Sequence, residues 1–309
     1  MQVAILGATG HIAKNIVFYL SKEKGYDFSL YARDLGSLEQ FLKSTGFRHN
    51  NNNISVFDLQ DFGNQSYDVI INCIGFADPI KQRNAGNSIL EVTEHYDSLI
   101  IDYLRKTSDT KYISFSSGAV FGSDFQTPVT NSTIASVDIN HITDANFYQI
   151  SKLYSEVKHR SLHDLAIIDL RIYGFLSQFI DLNAGYLLCQ IIRSIKGNAP
   201  FYTDKTDIVR DYVSPRDLAC LIGLVCNSGN LNTALDVYSR APVRKTEILD
   251  FFASNYNLKV EYKDGDYAST TGSKPFYYST SDLAHYLCGY EPRESSIDCI
   301  MRETQKILE

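Results

Sequence analysis

No apolar run in the 309-residue chain approaches the roughly 18 residues a membrane-spanning helix needs, so a membrane-embedded protein is not expected. An excess of basic residues is missing too. Against 29 lysines and arginines stand 36 aspartates and glutamates, a net charge of -7. A general nucleic-acid footprint would need a basic face, and any anionic ligand must be met by a few local cations. The six cysteines, Cys73, Cys189, Cys220, Cys226, Cys288 and Cys299, contain no C-x-x-C pair. Scattered mostly through apolar stretches, they read as reduced core residues rather than a metal or redox motif. There is no internal repeat, no low-complexity tract and no leader-like stretch ahead of the first apolar run, which points to a cytoplasmic protein. The sequons at Asn53, Asn64 and Asn131 then read as chance matches. The polar stretch His49 to Asn53 reads as a surface turn and not as a domain boundary.

What is present is an alternation. Short apolar strands, VAIL near 3, FSLYA near 28, ISVF near 54, DVIINCI near 68, YISF near 112 and AIIDL near 166, are separated by helical stretches. That βαβ rhythm predicts an α/β fold with a doubly wound parallel sheet of Rossmann type. After about Arg171 the rhythm changes to helical segments such as GYLLCQIIRSIKG and PRDLACLIGLVC. The expectation is a dinucleotide-binding domain over 1–171 and a smaller, mainly helical substrate domain over 172–309, some of whose segments return to the first.

The first strand stops at GATGHIA, Gly7 to Ala13, and apolar residues then recur at helical intervals at Ile12, Val17 and Leu20. Gly7 permits a tight turn, Gly10 lets backbone N–H groups approach a pyrophosphate, and the helix N-terminus adds partial positive charge. An ordinary βα turn with two glycines is the bland alternative. The second strand exits through LYARD. If it ends at Ala32, Arg33 stands where the adenosine ribose is read and NADP(H) is favoured; if it runs one residue further, Asp34 does and NAD(H) is favoured.

Tyr148 and Lys152 in YQISKLYSE are four apart, hence neighbours on one helical face. A nearby ammonium favours phenolate, so such a tyrosine can trade a proton with a substrate hydroxyl. Tyr154 and Lys158 share the spacing but lack the Ser151, Lys152, Glu156 continuation, and are assigned to structure.

Together these motifs resemble the short-chain dehydrogenase/reductase superfamily, in its extended branch of nucleotide-sugar epimerases, dehydratases and reductases. The resemblance covers nearly the whole chain. It implies cofactor contacts from Gly7, Thr9, Gly10, His11, Ile12 and Arg33, from Asp58 and Leu59 in FDL, from Ile74 and Gly75 in NCIGFAD, and from Tyr148 and Lys152. In YISFSSGAVFG, Ser117 matches the family's catalytic serine or threonine, four residues before an aromatic and glycine; Ser117, Tyr148 and Lys152 are the implied catalytic set. VRDYVSPRDLACLI resembles the family segment whose arginine meets a nucleotide diphosphate, which makes Arg210 and Ser117 the implied substrate contacts.

Three departures matter. Gly174 stands in RIYG where many relatives carry a substrate-binding asparagine, Ser214 replaces the usual histidine, and Gly118 and Ala119 occupy the places of the dehydratases' acid and base. Dehydration therefore lacks its proton-transfer groups. The expected activity is NADPH-dependent reduction of a nucleotide-linked 4-keto-6-deoxy sugar, with NAD-dependent 4-epimerisation as the close alternative. A different carbonyl or hydroxyl ligand and a non-catalytic NAD(P)-sensing protein are more distant ones. Neither a metal, a nucleic acid nor a membrane is expected as partner, and the resemblance implies a homodimer through helices beginning near Asn87 and Phe147.

Overall fold

The computed structural model describes residues 1–47, 53–263 and 274–309, so the surface turn expected at His49 to Asn53 lies, apart from Asn53, outside the described residues. Strands β1 (Gln2–Leu6), β2 (Asp27–Ala32), β3 (Ile54–Asp58), β4 (Val69–Asn72), β5 (Lys111–Ser117) and β6 (Ile167–Ile172) fall where the six apolar runs predict them. Strands β7 (Phe201–Thr203) and β8 (Val209–Arg210) follow, then β9 (Thr233–Val237), β10 (Val243–Arg244), β11 (Val260–Tyr262) and β12 (Phe276–Tyr277).

The main sheet runs in the order β3-β2-β1-β4-β5-β6-β9, parallel at every pairing. The order reverses between β1 and β4, and a doubly wound sheet opens its ligand crevice at that point, beyond the carboxyl ends of the strands. Alternation along β1 shows how the sheet is held. Val3 and Ile5 join one apolar cluster, Ala4 and Leu6 another, and all four are essentially inaccessible. Burial on both faces is why these strands read as continuous apolar runs.

One face is covered by α1 (His11–Leu20), α2 (Leu35–Ser44) and α7 (Pro215–Asn227). Ile100 and Leu104 of α4 (Ser88–Leu104) pack on the other, beside α5 (Phe147–Ser161). A buried charge network ties this second layer together. His159 of α5 lies with Nε2 2.7 Å from Asp97 Oδ1 and Nδ1 2.9 Å from Asp169 Oδ1. Burial pulls its pKa down, but the two carboxylates outweigh that and carry it up to about 9. Lys158 pairs with Asp97 and Glu94, while Tyr154 is half exposed on the outer face of α5. The second Tyr/Lys pair thus sits in the scaffold.

The remaining helices are α3 (Pro79–Ala85), α6 (Leu187–Lys196), α8 (Lys245–Tyr256), α9 (Leu283–Cys288) and α10 (Ser296–Leu308). Leu188, Ile191 and Ile192 of α6 pack with Ile248, Leu249 and Phe252 of α8 and Ile300 of α10 in a separate core. This C-terminal part is not helical throughout: β10-β8-β12 and β11-β7 form two small sheets. No helix among the described residues is long and apolar enough to cross a membrane.

Candidate active site

β1 ends at Leu6 and the chain turns at Gly7, whose φ of +73° suits glycine. A Cβ there would stand 2.9 Å from Ile74 Cγ1 and 3.1 Å from the backbone of Cys73, so the loop lies flush against the exit of β4. A Cβ on Gly10 would come 3.0 Å from the Gly7 carbonyl oxygen. Gly10 is the N-cap of α1 and no side chain caps that helix, nor is there an acidic residue in its first turn. Thr9, His11 and Ile12 therefore border a helix start with neither a side-chain cap nor an acidic first turn, which fits a pyrophosphate. The His11 imidazole points elsewhere: Nε2 lies 2.7 Å from Ser177 Oγ and the ring packs on Phe175. Burial and the nearby Lys14 charge lower its pKa to about 3, leaving it a neutral strut.

β2 ends at Ala32, so Arg33 is the first residue beyond the strand and is exposed. Asp34 has a different task, accepting from Ser37 N–H at 2.9 Å as the N-cap of α2. Asp58, paired with Ala32 across the strands, accepts from Gln60 N–H at 2.9 Å and leads into buried Leu59. Beyond β4, Ile74 N–H donates to Asn72 Oδ1 and Gly75 passes beside Lys152, whose Nζ would lie 3.7 Å from a Cβ at that position.

Ser117 ends β5 and Tyr148 and Lys152 rise from the first turns of α5. Lys152 Nζ donates to the Phe115 carbonyl at 2.8 Å and stands 5.9 Å from the Tyr148 ring centre. Burial pushes the Tyr148 phenol up while its hydrogen bond with Ser117 pulls it down, and the net direction is up. Burial lowers Lys152, opposed by Asp169, Asp97, Glu156 and Cys73. The expectation that the ammonium brings the phenol down is thus not met by these side chains alone; desolvation is the larger effect.

A cationic corner adjoins this trio. Arg210, 8% exposed on β8, gives Nη1 to the carbonyls of Val209 and Lys274, at 2.9 and 2.6 Å, while its buried Nη2 has no partner among the described residues. Lys274 Nζ lies 4.6 Å above the Tyr277 ring, and burial plus the Arg210 charge lower its pKa to about 8. Two cations set against one ring, one of them with a buried donor unpaired among the described residues, suit an anion. Tyr277 connects the corner to the trio, its Oη 3.0 Å from Ser117 Oγ.

Residues 3–238 match the NAD dependent epimerase/dehydratase family. The chain belongs to that family. It is an NAD(P)-dependent enzyme of the extended short-chain dehydrogenase/reductase type. Among curated proteins no relative matches. Solved structures do. A UDP-N-acetylglucosamine 4-epimerase from Methanobrevibacter ruminantium M1, with bound UDP-N-acetylmuramic acid, superposes with a TM-score of 0.81 at 14% identity, covering 99% of this chain and 98% of that one. A UDP-glucose 4-epimerase from Bifidobacterium longum, with NAD+ and UDP, gives 0.80 at 17% over 99% and 98%. A dTDP-glucose 4,6-dehydratase from Bacillus anthracis str. Ames, with NAD, gives 0.80 at 14% over 99% and 96%. At such identities these likenesses establish the fold.

Within this family Gly118 and Gly174 have steric explanations and Ser214 has a capping role. A Cβ on Gly118 would lie 2.3 Å from the Tyr173 ring, so that ring fills the room a side chain there would need. A Cβ on Gly174 would come 2.5 Å from the Asp211 carbonyl oxygen, because this backbone accepts from Val213 N–H and bridges to it at Phe175, which leaves no room for asparagine. Ser214 caps α7, accepting from Asp217 N–H at 3.0 Å. Sequence reasoning missed Tyr277 and Lys274. Their strand, β12, pairs with β8 and is stitched to the loop after β5 through Phe276 N–H to the Phe125 carbonyl.

Proposed function

We propose that the chain is a nucleoside-diphosphate-sugar 4-epimerase that removes and returns hydrogen at one carbinol carbon. The observation carrying this reading is the orphaned Arg210 Nη2 beside Lys274, a diphosphate-sized demand for anion placed next to a tyrosine and serine able to manage a hydroxyl proton. Arg210 and Lys274 would hold the phosphates, and Ser117 would donate to the reacting oxygen. Tyr148 would take the hydroxyl proton at Oη and give it back. Lys152 would hold the cofactor ribose and keep positive charge near the phenol. Gly7, Thr9, Gly10, His11 and Ile12 would offer backbone to the pyrophosphate, and Arg33, Asp58, Leu59, Ile74 and Gly75 would flank the adenosine half. Bound nicotinamide supplies a reversible hydride acceptor and, when oxidised, a positive charge.

Three things support epimerisation over other outcomes. Gly118 and Ala119 bear no proton-transferring group beside Ser117, which disfavours dehydration. The solved relatives include several UDP-sugar 4-epimerases. Epimerisation also needs no second substrate, since the hydride is returned. The test is incubation with UDP-sugars and catalytic NAD, with sugar interconversion and no net NADH as the expected result.

Arg33 favours a second reading, NADPH-dependent reduction of a 4-keto sugar, because it stands at the end of β2 while Asp34 is committed to capping α2. Stoichiometric loss of NADPH with a 4-keto-6-deoxy nucleotide sugar would replace epimerisation by reduction. Calorimetric titration with NADPH and NADH, in the parent and in Arg33→Ala, decides the cofactor: equal affinities in the parent remove the NADP preference. A homodimer through α4 and α5 fits the exposed Leu99, Tyr154 and Val157 on those helices. A monomer by light scattering at micromolar concentration would end that part.

A further inference from the structure

We infer that Tyr277 is a positioning residue for the catalytic serine: with the Ala119 N–H it occupies both lone pairs of Ser117 Oγ and leaves that hydroxyl free only to donate. A serine hydroxyl has one proton and two acceptor positions. Ala119 N–H takes one of them, at 3.2 Å, because Ser117 caps the short helical turn that follows β5. Tyr277 Oη stands 3.0 Å from the same oxygen. Burial holds the Tyr277 phenol above its usual value, so it keeps its proton; the Ala119 N–H, which also reaches that phenol oxygen, can only donate, which leaves Ser117 Oγ as the acceptor for the phenol proton among the described residues. The serine proton is then directed at Tyr148 or at the reacting oxygen, where negative charge resides during proton transfer.

Tyr277 is placed for this from three sides. Phe125 packs edge-on at 4.8 Å between ring centres and Tyr173 at 5.2 Å. The Arg210 guanidinium carbon lies 5.8 Å from its ring centre and Lys274 Nζ 4.6 Å from it. Parallel pairing of Tyr277 with Arg210 fixes the backbone. A loop residue carried on a flexible strap would hold no such aim.

The inference rests on Tyr148 being the acid–base group, but its test needs no sugar. Tyrosine carrying carbon-13 at the ζ position is incorporated into the full chain, NAD is added, and Tyr148→Phe identifies the Tyr148 resonance. The titratable and charged groups around that phenol are Lys152 on α5, Tyr186 ahead of α6, and Tyr277 with Arg210 and Lys274 behind it. In Tyr277→Phe the Tyr148 midpoint should rise by about one pH unit, the size of a lost hydrogen bond to an anion. Ser117→Ala should raise it at least as far, and the double variant no further, since both act through one oxygen. An unchanged midpoint in Tyr277→Phe or additive shifts in the double variant overturns the inference. Tyr277→Phe keeps the ring between Phe125 and Tyr173, and Ser117→Ala reads the same bond from its other end. Failure of the epimerase assay with this coupling intact would refute the reaction and leave the positioning role standing.

Discussion

The two halves of the crevice are built by different means. On the side proposed for the cofactor, Gly7, Gly10 and the uncapped start of α1 form a cradle from backbone within a few residues of one another. On the side proposed for the sugar, Ser117, Tyr148, Arg210 and Tyr277 meet across separations as large as 160 residues. A backbone cradle needs only small residues at fixed spacing, so its requirements are written locally. A side-chain pocket needs contacts that only the completed fold creates, and local spacing carries no trace of them.

That contrast explains what could be read from the sequence. Six strands were legible because burial on both faces forces continuous apolar runs. The end of β2 needed coordinates: a one-residue shift decides between Arg33 and Asp34, and the structure stops the strand at Ala32. Tyr148 and Lys152 were legible because helical periodicity places them together. Tyr277 was not, for β12 is two residues long and owes its position to β8 and to the loop after β5. Gly174 looked like a lost ligand, whereas the close approach of Asp211 and Tyr212 shows a backbone packed too tightly for a side chain.

If the halves are separable, substitutions should divide between them. The largest effect belongs to Tyr148→Phe, which removes the proton-transfer group and should cost about a thousandfold in turnover with cofactor affinity unchanged. Single-turnover kinetics with calorimetry of NAD binding checks both. Near-parent turnover would mean that another hydroxyl, with Tyr277 the nearest candidate, handles the proton.

Arg210→Ala comes next. Loss of a buried guanidinium from the anion corner should weaken UDP binding by about thirtyfold, near 2 kcal/mol, and leave NAD binding within about twofold of the parent. Equal loss of both ligands would break the comparison, because it would mean that β8 supports the cradle as well as the pocket. The charge is partly redundant with Lys274, so Arg210→Lys should recover some affinity but not the paired geometry of a fork.

The smallest effect sharpens the same comparison through pH. Lys274 has its pKa lowered to about 8 by burial and by Arg210, so in the empty pocket it loses its proton as pH rises through that value. A diphosphate binds the protonated lysine better and pulls its pKa up. Affinity for UDP should therefore be full well below about pH 8 and fall as pH passes it, by about fivefold between neutrality and pH 9.5. Lys274→Met should flatten this profile and lower affinity at neutral pH toward the high-pH value of the parent. The cradle offers the NAD pyrophosphate backbone N–H groups that do not titrate, so NAD affinity should stay level over the same range. A parallel fall in both affinities would mean that the titrating group serves the whole crevice, and the anion corner would lose its claim to be a separate device.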